Sequence, residues 1–358
     1  TSVTFNGKVQ SIGELAFYDS DAMTSLQLPD CETEIALNAF RDCDALTTLK
    51  FGERTKLSDV TGAIFYNTAV TAFEVAAENP YYAAEGDMLL SKDGKTVVLA
   101  APGKNYGDTY TLPAKYEAVG ASAFSGANFK KLIIENPDVK IGAYAFASCA
   151  NLSEVVLPSA AGTLTIGDSV FNSDAKLTKI SGLENVKNVG ELAFAATGLT
   201  EVTVADDAVY GNGAFMSSKL QTVTIGKNAQ FGLSAFRSCT ALKTVNMPAE
   251  GGVHFGAMSF ANDVQLGTID LSKTDGVIER ETFFSCIRLR SADLSGVTIV
   301  GDYAFADCRS LSQVTTTDGL KEIGEGAFSR NTENGGAPCF SSIYLPDSLE
   351  KIGVGAFI

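Results

Sequence analysis

The chain has 358 residues, 45% of them hydrophobic and 19% charged, too apolar a balance for a disordered polypeptide and enough for two or three ordinary domains or one elongated array. Its 42 acidic residues against 27 basic ones disfavour nucleic acid as a partner, because affinity for phosphate comes from Lys and Arg contacts that release counterions. No stretch approaches the roughly 20 apolar residues needed to cross a bilayer, and Thr1 opens directly onto strand-like sequence with no charged and apolar leader, which leaves the compartment open.

In chain order, Ser2-Val3-Thr4-Phe5 reads as the tail of a strand, and Ile12-Gly13-Glu14-Leu15-Ala16-Phe17 introduces a phrase that then recurs. An apolar residue, usually followed by Gly, stands five residues before a Phe in fourteen places, the last being Ile352 before Phe357. Glycine follows that apolar residue in eleven of the fourteen, which predicts a backbone bend that Gly adopts most cheaply. Most neighbouring phenylalanines lie 21 to 25 residues apart. After most of them comes a second phrase, Leu-x-x-Val-x-Leu in idealised form, as in Leu152, Val155 and Leu157 or Leu220, Val223 and Ile225. Its last two apolar positions alternate with a polar one, the period of a strand with one buried face. Pro29, Pro158, Pro248 and Pro346 follow such strands where no backbone donor is needed. The Ala-Phe segment is expected to make one helical or 3-10 turn on the opposite side. One unit buries too little apolar surface to offset the ordering of its own backbone, so units must stack.

Between Phe65 and Phe124 the spacing more than doubles, and residues 79–113 differ in character. Asp93-Gly94 between two apolar runs predicts a β-hairpin, read as a protruding replacement for one Ala-Phe half. Its tyrosines, Tyr81, Tyr82, Tyr106 and Tyr110, are a local aromatic excess that would serve either as a contact site or as packing against the array. Further on, residues 329–339 carry a run of turn formers that predicts a second, loop insertion. Neither end reads as a capped unit, so the native polypeptide is expected to extend at least upstream of Thr1.

These elements predict an α/β fold: a single right-handed, leucine-rich-repeat-like solenoid over residues 1–358, of about 14 to 15 repeats of about 23 residues. The two linked phrases, with an optional Cys three residues after Phe, resemble the BspA-like leucine-rich repeats over nearly the whole chain. The resemblance implies a bacterial cell-surface, extracellular protein that adheres to host or neighbouring-cell proteins, and it carries over no binding residue.

Residues with chemistry are few. Cys43, Cys149, Cys239, Cys286 and Cys308 each follow a repeat Phe by three, so register explains them as a small inward slot, and only Cys286 and Cys308 belong to successive units that would allow a disulfide. Cys31 and Cys339 match no zinc spacing, and the one histidine, His254, lies inside a strand phrase. No phosphate loop, zinc-protease helix or nucleophile elbow is present, and acidic pairs such as Asp206 with Asp207 or Asp42 with Asp44 read as solvated faces. Neither a cofactor, a metal nor an enzymatic activity is expected. What remains is one outward residue per strand: Gln27, Lys50, Glu74, Ile133, Val156, Thr203, Thr224, Asn246, Asp270, Asp293, Thr315 and Tyr344. Ile133 and Val156 are adjacent apolar residues on a face that should be wet, and Tyr344 is its aromatic member. The expectation is therefore a protein-binding adhesion module, with a glycan-binding surface using the tyrosines, or an architectural spacer for a further domain, as alternatives.

Overall fold

In the computed structural model, described over residues 1–5, 7–58, 62–160, 162–330 and 342–358, every regular turn of chain contributes two short strands. The described residues divide into two compact units, residues 1–158 with 163–174, and residues 159–162 with 175–358. Each is a β-solenoid of the same kind of turn.

In the first unit the leading strands form parallel sheets one turn apart in register. Leu26 pairs with Leu49 and Leu49 with Phe73. After the insertion, Tyr110 pairs with Leu132 and Leu132 with Val155. The trailing strands do likewise, Ile12 with Ile35, then Val119 with Ile141 and Ile166. In the second unit Val202, Val223 and Val245 line up, as do Ile269, Ala292 and Val314, while Val189, Tyr210, Phe231 and Phe255 form a trailing column. A period of two puts these residues inside and their neighbours outside, and a one-residue slip would expose the whole column, so the apolar pattern sets the register.

The repeat phenylalanines stack through the interior. In the first unit Phe124 and Phe146 stand 5.1 Å apart and nearly parallel; in the second, Phe260, Phe283 and Phe305 follow at 5.2 and 5.0 Å. Such offset stacking adds to the burial of each ring.

The Ala-Phe segment departs from the expected helical turn, and the fold is accordingly not α/β. Among the described residues, 3-10 geometry appears only at Gly62–Phe65 and Leu183–Asn185. Elsewhere the residues two before and two after Phe are left-handed: Leu192 and Ala196 flank Phe194 with φ of 54° and 56°, and Ser234 and Ser238 flank Phe236 with 60° and 62°. A right-handed helix cannot pass through such residues. The alternation instead turns every second N–H group toward the next turn, where Leu192, Phe194 and Ala196 donate to the carbonyls of Asn212, Ala214 and Met216 at 2.8 to 2.9 Å. The segment is thus an inter-turn ladder of its own.

The glycines of the phrase are needed for close approach rather than for a bend. A Cβ on Gly167 would lie 2.6 Å from the Ile141 carbonyl oxygen, and one on Gly301 2.7 Å from that of Ile278, with no left-handed φ at either. Backbone of successive turns meets backbone there.

The insertion is a three-stranded antiparallel meander, Tyr82–Glu85, Met88–Ser91 and Thr96–Ala100, with left-handed Gly86 and Gly94 in its two turns. It does not protrude. Thr96 and Val97 pair in parallel with Ala118 and Val119, so the meander continues the trailing-strand sheet. Leu89, Leu90, Val97 and Leu99 are buried, and a free hairpin would have left them in water. The loop expected at residues 329–339, and Cys339 with it, falls from 331 on outside the described residues.

Candidate functional site

On the leading-strand sheets the residues on either side of each buried position face outward. Gln27, Lys50 and Glu74 are in-register neighbours, as are Ile133 with Val156, Thr203 with Thr224 and Asn246, and Asp270 with Asp293 and Thr315. Lys50 and Glu74 pair at 2.8 Å, and in the adjacent outward column Lys131 and Glu154 pair at 3.3 Å. Exposed pairs of this kind contribute little stability, so the face is chemically available to a partner.

Of the seven residues singled out from sequence, four reach the surface. Ile133 and Val156 are half-buried neighbours on the leading-strand face, and Tyr344 is exposed, its hydroxyl 3.3 Å from Asp318. Tyr81 is exposed, with the Lys56 ammonium 5.5 Å from its ring centroid. The other three make packing contacts, the alternative that the sequence left open for them. Tyr82 is buried against Phe51, and its hydroxyl accepts from the Leu57 N–H. Tyr106 and Tyr110 are half-buried, edge-on to each other and against Phe124 and Phe129, and the Tyr106 hydroxyl donates to the Ala101 carbonyl at 3.1 Å. Burial pushes both phenols above their ordinary range. Tyr110 shares the leading-strand sheet of Ile133 and Val156, at the position that pairs with buried Leu132, whereas Tyr82 lies on the meander, which continues the trailing-strand sheet.

The cysteines occupy the inward slot expected of them. Cys43, Cys149, Cys239, Cys286 and Cys308 are buried free thiols, each donating to the carbonyl of the repeat Phe one turn back, at 3.0 to 3.4 Å. Cys286 and Cys308 are not bonded to each other. Two carboxyls that sequence reading passed over share this slot, and aligning the chain on Phe would have found them. Asp174 is fully buried, accepts from the Cys149 N–H at 2.8 Å, and leaves its second oxygen without a partner; burial raises its pKa to about 9. Asp263 is fully buried with neither oxygen partnered, and burial pushes it well above the usual carboxylate range. Asp174 is thereby held as the neutral acid at pH 7, and both carboxyls point into the core, not to a ligand.

The remaining candidates are staples between turns. The Nδ1 of half-buried His254 lies 2.9 Å from Asp275. Asp206 accepts from the Lys227 N–H at 2.7 Å, Asp207 from the Asn228 amide at 3.0 Å, and Asp42 from the Asn67 amide at 2.7 Å, which holds the Asp42 carboxyl below its ordinary range. Among the described residues no three His, Cys, Asp or Glu side chains gather as metal ligands, and no helix is long and apolar enough to cross a membrane.

The sequence profile of the BspA type leucine rich repeat region matches six copies, over residues 1–82, 106–210 and 208–334. Comparison with curated proteins returns no match. Among solved structures, the chain is similar to a leucine-rich repeat protein from Bacteroides ovatus, at 18% identity and a TM-score of 0.43, covering 99% of this chain and 82% of that one. It is also similar to the pneumococcal vaccine antigen PcpA, at 22% identity and 0.44, covering 70% of this chain and 56% of that one. A leucine rich cell surface protein from Faecalibacterium prausnitzii matches at 17% identity and 0.30, covering 88% and 86%.

Proposed function

Because the chain belongs to the BspA-type leucine-rich repeat family, we propose that it is a non-catalytic binding module of a bacterial cell surface, holding proteins of a host or neighbouring cell against the outward columns of its leading-strand sheets. Repeat scaffolds of this class generally bind proteins, and their stacked units present extended faces. The observation that carries the reading is the register itself. Ile133 and Val156, or Thr203, Thr224 and Asn246, sit side by side one turn apart, over inward neighbours that are almost all buried, so the outward side chains are held for contact at no further cost in backbone order. Ile133 beside Val156 supplies an apolar centre, and the hydroxyl, amide and carboxylate neighbours supply the polar surround usual in non-obligate interfaces.

The test is a binding screen of the purified chain against extracellular-matrix proteins and a glycan panel. A protein that binds the chain, and binds at least tenfold more weakly after Ile133→Thr with Val156→Thr, is the expected result. Binding of glycans alone, or silence from a folded sample, overturns the reading.

A further inference from the structure

In the second unit the leading-strand ladder is interrupted between Lys179–Ser181 and Glu201–Thr203, which belong to different sheets. The chain leaves the first of these strands through Gly182, left-handed at φ 86°, into the 3-10 turn Leu183–Asn185. A cleft of about 150 Å³ opens between that turn and the next strand. Its floor is apolar: Leu183 and Val202 are buried, and Ile180 is half-buried. Its rim carries two exposed carboxylates, Glu184 on the turn side and Glu201 on the strand side. Thr203, and Thr222 and Thr224 in register behind Glu201 and Thr203, complete the wall with hydroxyls.

The cleft's carboxylates differ from those of the paired positions on the face. Glu74 and Glu154 are neutralised by Lys50 and Lys131, whereas neither Glu184 nor Glu201 has a cationic partner among the described residues. Two unneutralised carboxylates and three hydroxyls above an aliphatic floor are complementary to one kind of group, an ammonium at the end of an apolar stem. A lysine side chain lays its methylenes on apolar surface and keeps its head polar, and its three N–H donors suit acceptors spread around a rim better than the planar fork of arginine does.

We propose that this cleft receives a lysine side chain presented by a protein partner. The proposal rests on the protein-binding reading above and names one anchor of that contact.

The experiment is methyl NMR of the full chain titrated with N-acetyl-lysine methylamide and with its norleucine and arginine counterparts. The lysine probe is expected to shift the methyl signals of Ile180, Leu183 and Val202, and the norleucine probe, which lacks the charge, to leave them in place. Glu184→Gln and Glu201→Gln, exposed substitutions that leave the fold intact, are each expected to weaken the lysine probe on the order of threefold or more, an effect that shrinks in high salt. No shift with any probe, equal shifts with norleucine, or tighter binding of the arginine probe overturns the proposal. With a protein partner in hand, unchanged affinity after both substitutions sinks the lysine anchor and leaves the binding reading standing. A lysine probe that binds while no protein does removes the partner from the proposal and fails the broader reading instead.

Discussion

The thiol of Cys286 donates to the main-chain carbonyl of Phe260, one turn back, at 3.1 Å. Cys308 repeats the contact with Phe283, so the slot asks for a small side chain that can give one hydrogen bond. Replacement of Cys286 by Ser should therefore be tolerated, whereas Val, which fills the space and cannot donate, should cost about 0.5 to 1.5 kcal/mol by removing one of the two hydrogen bonds that the Phe260 carbonyl accepts, the other coming from the Asp263 N–H. Urea unfolding of the two variants checks this, and equal losses would mean that volume alone governs the slot.

The same slot makes the thiols inert. Cys149 and Cys286 are raised well above the ordinary thiol range by burial. Among the described cysteines, only half-buried Cys31 should react with a thiol reagent at pH 8 before the chain unfolds. Mass spectrometry of the labelled native protein, peptide by peptide, gives the answer.

Asp174 predicts a pH dependence of stability. Its pKa is raised from about 4 in the unfolded chain to about 9 in the fold, so between those values the folded state holds the extra proton. Stability must then fall as pH rises, by up to about 1.4 kcal/mol per pH unit through this window. Asp263 acts in the same direction. Asp174→Asn keeps an acceptor for the Cys149 N–H and removes the titration, so its urea midpoint should be less sensitive than the parent's between pH 5 and pH 8, below the range in which free thiols ionise. An unchanged slope would show that the carboxyl is not held neutral in the fold.

Two kinds of backbone position can be told apart by substitution. Gly167→Ala places a Cβ 2.6 Å from a main-chain oxygen of the preceding turn and should cost about 1 to 3 kcal/mol; Gly13→Ala meets nothing within 4 Å and should be nearly neutral. At Ser238, φ 62°, Gly should be neutral or stabilising, and Val should cost about 1 to 2 kcal/mol. Thermal unfolding of the four variants suffices to check the order.

The strands were legible in sequence because their signal is chemical: alternation at Val223 and Ile225, or Val202 and Val204, can only mean one buried face. The turn between them was not, because a backbone alternating between right- and left-handed conformations leaves no apolar period. Its trace is subtler. The positions two before and two after Phe hold residues such as Leu15, Asp19, Asn38, Ser148 and Ser238, and never Val, Ile or Thr among those with a left-handed φ. Tyr82 and Tyr106 were ambiguous in sequence for a related reason: an aromatic excess in an insertion has the same composition whether the rings face out or, as here, pack beside Phe51 and Phe124. Glu184 and Glu201 carry no motif at all, since they meet only where a ladder breaks.

A partner can occupy either side of the turn. Exposed apolar residues also occur on the Ala-Phe side, at Leu15, Leu37, Tyr144 and Leu233, so the two faces are real competitors. Hydroxyl-radical footprinting of the chain with and without the protein captured in the screen decides between them, because it reads side-chain exposure directly. Protection of Ile133 and Val156, with Leu15, Leu37, Tyr144 and Leu233 unchanged, is the result predicted. Protection of those four residues, with Ile133 and Val156 still reactive, would contradict it.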